Sequence, residues 1–294
     1  MHISKKNSLK NLARHYIIGA TILFSASALH AQEINFKNEA ADTTRITQIL
    51  IDECGARDAG NIVRIATKFI GTPYKAATLE GNDTESLVVN LDEFDCTTFV
   101  ETVLALAYTA RENRSSWHDY IYNLRRIRYR NGEVNGYSSR LHYMSEWILY
   151  NTSSGMIKEI TGDINNARYN VKSLNYMTSH RDAYPALADS TNYANMKNVE
   201  AGLSNHRYPF IKSSAAKNKN LASVVRSGDV VMFTTATKGL DVTHMGIIQM
   251  QDDKAMVIHA SSKENKVVLD KLSLEEYLAR YRNEGIRIVR LTYE

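Results

Sequence analysis

The chain has 294 residues, a 44% hydrophobic composition, two cysteines and a formal net charge of +4 from 36 Lys and Arg against 32 Asp and Glu. Four of the basic residues and none of the acidic ones precede Gln32, so the rest of the chain carries 32 of each. This balance argues against a nucleic-acid binder, and the length with only two cysteines argues against a small disulfide-stabilised scaffold.

The N-terminus has the parts of a secretory leader. Its basic part contains Lys5, Lys6, Lys10 and Arg14. An apolar run follows from Tyr16 to Leu29, too short to span a membrane comfortably, and Ala31 offers a small residue for cleavage. We predict a signal peptide at residues 1–31 and one enlarged domain at residues 32–294, exported to the periplasm or secreted. A retained membrane anchor is the less favoured alternative, since no lipid-acceptor cysteine follows.

Apolar residues at helical spacing predict two helices next, at residues 43–54 and 61–70. Gly71-Thr72-Pro73 ends the second. Cys54 continues the apolar row of the first helix, so we expect it to be a buried free thiol. Export would permit a disulfide between Cys54 and Cys96, and the sequence alone leaves that pairing open.

Cys96 stands where an acidic loop becomes an apolar helix. The helix is indicated by Phe99, Val100, Val103, Leu104 and Ala107, and it runs to about Arg111. Asp92 or Asp95 could cap it. Amide groups and the positive dipole end at a helix start stabilise a thiolate, the reactive form of cysteine. Cys96 is therefore a candidate nucleophile, and its alternative role is that of a small buried core residue.

A further helix at residues 117–130 carries Arg125, Arg126, Arg128 and Arg130, which we predict to form a solvated face rather than an anion site. Residues 137–184 are less regular. There Arg140 and His142 stand two apart and would point the same way on an extended chain. Arg140 could donate to a substrate carboxylate or carbonyl, and His142 to a sugar or amide oxygen. The alternative is a local aromatic core of His142, Tyr143 and Trp147.

After a helix at residues 190–203, three runs rich in Val and Ile predict consecutive antiparallel strands near residues 230–233, 242–248 and 255–260. His244 begins the second and His259 ends the third, so the hairpin brings both imidazoles to one end of the sheet. Cys96, His244 and His259 then supply a nucleophile, a base and an orienting group. Two alternatives stay open: ordinary strand-end histidines, and a Cys-His-His zinc site, which lacks paired ligand spacings. A helix capped by Ser273 and a strand at residues 286–291 complete the chain.

Several motifs occur in a specific order: Gly71-Thr72-Pro73-Tyr74, Asp95-Cys96, Ser227-Gly228-Asp229-Val230-Val231-Met232-Phe233, His244-Met245-Gly246-Ile247 and Ile258-His259-Ala260. In this order they resemble the NlpC/p60 superfamily of papain-like cell-wall cysteine hydrolases. Longer pieces look like a branch first described as a domain of unknown function and now associated with N-acetylmuramoyl-L-alanine amidase activity. They are Asp92-Glu93-Phe94-Asp95-Cys96-Thr97-Thr98-Phe99-Val100-Glu101 and Ser139-Arg140-Leu141-His142-Tyr143.

The resemblance implies a role for each matching residue. Cys96 matches the nucleophile, His244 the base, His259 the orienting residue and Tyr74 the tyrosine beside the nucleophile. We expect the substrate to contact Tyr74, Asp95, Arg140 and His142. The implied fold is α+β and papain-like, with helices that carry the nucleophile packed on an antiparallel sheet. The long spacing between Cys96 and His244 implies a large insertion that reshapes the cleft.

The resemblance also implies the reaction. We expect hydrolysis of the amide between N-acetylmuramic acid and L-alanine through a cysteine thioester, with no metal and no cofactor. The partners would be peptidoglycan or soluble muropeptides, and we expect a monomer that binds no nucleic acid and keeps no membrane anchor after signal cleavage. Two other functions stay open: a stem-peptide endopeptidase that cuts after γ-D-glutamate, and a non-catalytic cell-wall-binding protein on the same fold.

Overall fold

The computed structural model describes residues 34–56, 58, 60–82 and 84–292, which belong to one compact unit, so the predicted signal peptide lies outside the described residues. The helices are α1 (Glu39–Glu53), α2 (Gly60–Thr67), α3 (Cys96–Arg111), α4 (Trp117–Arg128), α5 (Met144–Ser153), α6 (Tyr176–Ser179), α7 (Ser190–Gly202), α8 (Asn218–Leu221) and α9 (Leu274–Arg280). The strands are β1 (Ile34–Phe36), β2 (Leu87–Val89), β3 (Ile157–Glu159), β4 (Arg168–Lys172), β5 (His206–Lys212), β6 (Val230–Thr234), β7 (Val242–Gln251), β8 (Lys254–Ser261), β9 (Lys266–Leu269) and β10 (Gly285–Leu291).

The predicted helices form, with shifted ends. Helix α1 starts four residues earlier than expected because the Asn38 side chain accepts from the Ala41 amide and caps it there. Helix α2 stops at Thr67, and the next turn tightens to hydrogen bonds between residues three apart, such as Phe69 N–H to Ala66 C=O. Ser273 caps α9 through a reciprocal pair of hydrogen bonds with Glu276.

The sheet confirms the α+β class with antiparallel strands. Within the described residues eight strands form one sheet in the order β4-β5-β10-β6-β7-β8-β9, and β3 pairs with β10. Every pairing in it is antiparallel, and β6, β7 and β8 follow one another as predicted. Strands β3, β4, β5 and β9 were not predicted, and neither was the parallel pair of β1 with β2, because these strands are short or polar.

The core lies on both faces of the sheet because alternate strand residues point to opposite sides. Val230 and Met232 pack towards α1 to α5, whereas Val231 and Phe233 pack on the side covered by α8 and α9. Helix α3 is buried on nearly all sides between its helical neighbours and strands β7 and β8. This burial fixes the first turn of α3 against the strand pair that carries the histidines.

The prediction of a solvated arginine face on α4 is wrong for Arg128. Its side chain is 2% exposed, its Nε donates to Glu101 Oε2 at 2.6 Å, and its Nη1 donates to the Val88 carbonyl at 2.7 Å. Arg128 faces α3 from the last turn of α4, where the acidic partner on α3 compensates the buried charge. The ion pair of Arg128 with Glu101 joins two different helices, so the local charge pattern of α4 could not indicate it.

The chain between α4 and β6 builds a small core of its own and adds β3, β4 and β5 to the sheet. That core contains Tyr137, Tyr143, Leu174, Met177, Leu187, Met196 and Leu203. The alternative of one aromatic core from His142, Tyr143 and Trp147 is wrong, because Trp147 packs into the main core instead. Within the described ranges, none of the helices combines the length and apolar character that a bilayer span requires.

Candidate active site

Cys96 is the first residue of α3, as the sequence predicts. Asp95 caps the helix: its Oδ1 accepts from the Thr98 amide at 2.8 Å, and Thr98 Oγ1 accepts from the Asp95 amide at 3.1 Å. This reciprocal pair satisfies two backbone donors that a helix start leaves without partners. The second carboxylate oxygen of Asp95 accepts from the Thr78 hydroxyl at 3.1 Å. The cap therefore fixes the backbone at the candidate nucleophile.

The thiol of Cys96 is partly exposed and free, but its surroundings favour the protonated form. Burial, assisted by the nearby Asp95 carboxylate, raises the pKa of Cys96 to about 11. Hydrogen bonds from the Met245 backbone and the Thr97 hydroxyl act in the opposite direction. The expectation that the helix start would hold a thiolate is therefore not met in the resting protein, because desolvation outweighs the dipole. The Met245 contact places the sulfur against the residue that follows His244.

His244 on β7 and His259 on β8 meet at one end of the sheet, as predicted. Nε2 of His244 and Nδ1 of His259 are 2.6 Å apart, and the two rings stand at 73° to each other. Burial lowers the pKa of His244 to about 3, and the neighbouring His259 ring adds to that shift. His244 is therefore neutral at physiological pH and able to accept a proton.

Asp270 adds a carboxylate to the histidine pair and was not predicted as a site residue. Its Oδ2 lies 3.2 Å from Nε2 of His259, and its Oδ1 accepts from the Leu272 amide at 2.8 Å. Although burial opposes ionisation, the hydrogen bonds from His259 and Leu272 lower the pKa of the Asp270 carboxyl. The available signal was a polar residue at the end of the apolar run Val267-Val268-Leu269, at the strand end next to His259.

The hydrogen bond to the Asp270 carboxylate determines the tautomers of His259 and His244. Since Asp270 only accepts, His259 carries its proton on Nε2 and accepts at Nδ1. His244 must then donate from Nε2, which leaves its Nδ1 as the free lone pair. A proton taken up at Nδ1 of His244 would leave the hydrogen-bonded chain from His244 to Asp270 intact.

Two aromatic rings enclose the histidines. Phe233 pairs with His244 across the β6–β7 ladder and stacks on its ring at 5.6 Å and 27°. Tyr277 from α9 contacts the Phe233 ring at 4.9 Å and meets His259 edge-on at 6.1 Å. These contacts exclude water from one side of the pair and explain the low pKa of His244.

A cavity of about 150 Å³ opens beside the start of α3. It is lined by Ala77, Leu79, Glu80, Asp95, Thr97, Glu101, Arg140, Leu141, His142 and Met144. Arg140 and His142 thus line one cavity together with Asp95, as their spacing predicts. Tyr74 is half-buried nearby, where burial raises its pKa and the charges of Cys96 and Asp95 add to the effect. All four expected substrate-contacting residues therefore lie around the first turn of α3.

Arg140 has partners that the sequence did not indicate. Its Nη2 donates to Glu80 Oε1 at 2.6 Å, and its Nε lies 3.5 Å from Glu85 Oε1. The guanidinium is buried between these carboxylates and the Tyr137 ring. The charge of Arg140 is therefore already compensated inside the protein. Its hydrogen bond to Glu80 holds that carboxylate at the cavity wall.

His142 is held by the same segment. Its Nε2 donates to the Tyr137 carbonyl at 2.8 Å, and the two rings lie 4.4 Å apart. Burial and the adjacent Arg140 charge keep the pKa of His142 well below its ordinary value, so the ring is neutral. Its other nitrogen is left as an acceptor, in a residue that lines the cavity.

Cys54 differs from its prediction. The thiol is free, as expected, but exposed rather than buried, and its Sγ donates to Asn113 Oδ1 at 3.4 Å. Helix α1 ends at Glu53, so Cys54 lies in the turn beyond it and leaves the apolar row.

The chain is similar to one family model and to several solved structures. A family model described as AmiA-like, N-acetylmuramoyl-L-alanine amidase-like, matches residues 64–286. A crystal structure of an N-acetylmuramoyl-L-alanine amidase from Bacteroides uniformis shares 37% identity and a TM-score of 0.75, covering 80% of this chain and 98% of that one. Among curated proteins, no significant relative is found.

Two further solved structures are similar. A candidate xylanase from Bacteroides fragilis shares 39% identity at a TM-score of 0.72, covering 78% of this chain and all of that one. A Legionella pneumophila protein assigned to the family model DUF1460 shares 25% identity at a TM-score of 0.66, covering 86% of this chain and 97% of that one. The residues matched by the family model, 64–286, include Cys96, His244 and His259.

Proposed function

The chain belongs to the AmiA-like, N-acetylmuramoyl-L-alanine amidase-like family, and from this premise we propose that it is a cysteine-dependent peptidoglycan amidase. The bond cut is the amide between the lactyl group of N-acetylmuramic acid and L-alanine. The observation that carries the proposal is the chain of hydrogen bonds from Asp270 through His259 to His244, next to a cysteine at a capped helix start. A carboxylate–imidazole–imidazole chain of this kind orients a base and stabilises the imidazolium that forms during proton transfer, which is the requirement of a hydrolase.

The same arrangement supports assignment to the NlpC/p60 superfamily with a papain-like fold. In that fold a nucleophile opens a helix and histidines come from an adjoining antiparallel sheet. Here Cys96 opens α3, and His244 and His259 come from neighbouring strands. The chain between α4 and β6, with its own small core, is the insertion that enlarges the domain.

In the proposed mechanism, His244 acts as the general base. Its Nδ1 takes the thiol proton of Cys96 while the sulfur attacks the lactyl carbonyl carbon, because a thiol with a pKa of about 11 does not ionise beforehand. Backbone amides at the start of α3 stabilise the oxyanion. The Asp270 carboxylate stabilises the imidazolium through His259, without taking the proton itself.

Collapse of the tetrahedral intermediate breaks the C–N bond. His244 gives its proton to the departing amine of L-alanine, which leaves a thioester on Cys96. Water then attacks the thioester carbon, His244 takes the water proton and returns it to the sulfur, and the lactyl carboxylate is released. Tyr74, Asp95, Arg140 and His142 line or border the cavity that would receive the substrate next to Cys96.

We further propose that the protein works outside the cytoplasm. Residues 1–31 would direct export as a signal peptide and be removed, and the remaining chain would act as a monomer in the periplasm or after secretion. Its substrate would be peptidoglycan or soluble muropeptides. Cleavage at Ala31 can be checked by N-terminal sequencing of the exported protein.

The function is tested by mass spectrometry of products from a defined muropeptide. An amidase releases a peptide-free sugar and an intact stem peptide, and the Cys96→Ala variant should release neither. A sugar that retains a dipeptide would mean endopeptidase activity instead, and no cleavage by the wild type would favour a binding protein. Xylan serves as a second substrate because the similar Bacteroides fragilis protein is described as a candidate xylanase, and we expect no xylan cleavage.

A further inference from the structure

A second cleft, between α4 and α5, is formed by residues that do not line the cavity beside Cys96. Its volume is about 250 Å³, and its walls include Tyr122, Arg125, Arg126, Asn131, Tyr150 and Ser154. None of the described lining residues carries a carboxylate. The cleft therefore combines two cationic side chains with two aromatic rings and has no acidic group in its walls.

Arg126 is held in place by neutral partners. Its guanidinium lies 5.4 Å from the centre of the Tyr122 ring and 5.5 Å from that of Tyr108, and its Nη1 donates to Asn123 Oδ1 at 3.2 Å. These contacts orient the planar group without neutralising its charge. A guanidinium fixed in this way loses little freedom when it binds a carboxylate through two hydrogen bonds.

The opposite wall is a tight turn. Asn131 and Gly132 both have positive φ, and a Cβ at Gly132 would lie 3.4 Å from Arg126 Cγ. Asn131 Oδ1 also accepts from the Tyr150 hydroxyl at 3.3 Å, which joins this turn to α5. The shape of the cleft is thus set by packing. Tyr122, whose side chain is 56% exposed, leaves ring surface open to a ligand.

The walls indicate the class of ligand. Aromatic faces pack against the apolar face of a sugar ring, and an arginine side chain donates hydrogen bonds to a carboxylate. The volume is below the ~300–1,000 Å³ of pockets for drug-sized molecules, so it suits a single ring with its substituent.

We propose that this cleft binds a carboxylate-bearing sugar, namely the peptide-free muramic acid unit of a glycan strand. The choice of this sugar rests on the proposed function, because cleavage of the lactyl amide leaves a free carboxylate on the ring. The cleft would hold the enzyme on glycan from which the peptide has already been removed. Uronic acids share the chemistry of a carboxylate on a sugar ring, and the experiment separates the two sources.

The test compares N-acetylmuramic acid with N-acetylglucosamine, which has the same ring without the lactyl carboxylate. Both are titrated calorimetrically into the Cys54→Ala protein after alkylation of Cys96, which places an adduct at the start of α3 beside the catalytic cavity. We expect N-acetylmuramic acid to bind at least about tenfold more tightly than N-acetylglucosamine, which corresponds to a difference in binding free energy of ~1.4 kcal/mol. Arg126→Gln should remove this preference, and Tyr122→Ala should weaken the binding of both sugars.

Arg207→Gln is the matched control. Arg207 is an exposed arginine that stacks on Tyr169 at 4.1 Å but lines neither cavity, so its loss should leave the preference unchanged. Thermal midpoints of all variants check the fold. Arg126→Gln should also cleave a soluble muropeptide at the wild-type rate, since Arg126 lies outside the proposed catalytic group.

Equal affinity for the two sugars, or a preference that survives in Arg126→Gln, would overturn the proposal. Tighter binding of D-glucuronic acid than of N-acetylmuramic acid would overturn the muramic assignment. A wild-type protein that binds N-acetylmuramic acid in this cleft but cleaves no muropeptide would support the cleft and refute the proposed amidase reaction.

Discussion

Replacing Asp270 by asparagine tests the hydrogen-bonded chain behind His244. Asp270 accepts from Nε2 of His259 at 3.2 Å, and Nδ1 of His259 accepts from Nε2 of His244 at 2.6 Å. An amide at position 270 removes the negative charge and offers a donor that favours the opposite tautomer of both rings. Nδ1 of His244 would then carry a proton and could no longer act as a base.

The size of the loss follows from the geometry. Along this chain the carboxylate lies within about 8 Å of Nε2 of His244, where a unit charge at an effective dielectric constant of 20 stabilises an imidazolium by about 2 kcal/mol. Removing that interaction alone lowers kcat/KM about 30-fold. The corresponding exchange in a Ser-His-Asp triad costs about 10⁴-fold through the wrong tautomer. We expect Asp270→Asn to fall between about 30-fold and about 10⁴-fold below wild type.

The assay is kcat/KM for a defined muropeptide, measured by mass spectrometry of both products, with thermal midpoints as a check on folding. Asp253→Asn is the control: Asp253 is exposed in the turn between β7 and β8 at a φ of 63°, which asparagine adopts readily. A folded Asp270→Asn variant within about threefold of the wild-type kcat/KM would refute the role assigned to Asp270.

Four other outcomes are expected. Cys96→Ala should abolish hydrolysis, whereas Cys54→Ala should leave it unchanged because that exposed thiol lies outside the site. Equal losses of activity in the two variants would contradict the assignment of Cys96 as the nucleophile. In the Cys54→Ala background, alkylation of Cys96 by iodoacetamide should rise about tenfold per pH unit from pH 7 towards 10, because the thiolate forms only as pH approaches a pKa of about 11; a plateau near pH 6 would reveal a preformed thiolate. Arg140→Met should lower the free energy of unfolding in urea by about 3–5 kcal/mol, since it leaves the buried Glu85 side chain and the partly exposed Glu80 without their cation, and adding Glu85→Gln should recover part of the loss; an unchanged free energy of unfolding in Arg140→Met would show that these ion pairs contribute nothing to stability. Dialysis against a chelator should leave the rate unchanged, and a loss restored by zinc would favour a metal site.

The local features of the site could be predicted from the sequence. The start of α3 depends on hydrogen bonds between Asp95 and Thr98, three residues apart, and on an apolar period that continues for three turns. The meeting of His244 and His259 depends on one short hairpin between two apolar strands. Such signals lie within the span of a single element or turn, so the residue order alone carries them.

The tertiary structure decided which charged side chains pair with one another and which protonation states the site residues adopt. Arg140 meets Glu80 across 60 residues of sequence, and Arg128 meets Glu101 across 27, so neither pair follows from local charge spacing. Asp270 joins the histidines only because β9 pairs with β8 in one register.

The pKa of Cys96 shows the physical reason for this division. A helix start favours the thiolate, and that effect is visible in the sequence. Burial opposes it and, with the Asp95 carboxylate, raises the pKa to about 11, because the packed protein displaces the water that would solvate the charge. Hydrogen bonds within one turn depend on the identity of a few adjacent residues, whereas desolvation and long-range ion pairs depend on every element packed around a group. The sequence by itself therefore determined where the nucleophile and the histidines stand, and only the packed structure determined the charges they carry.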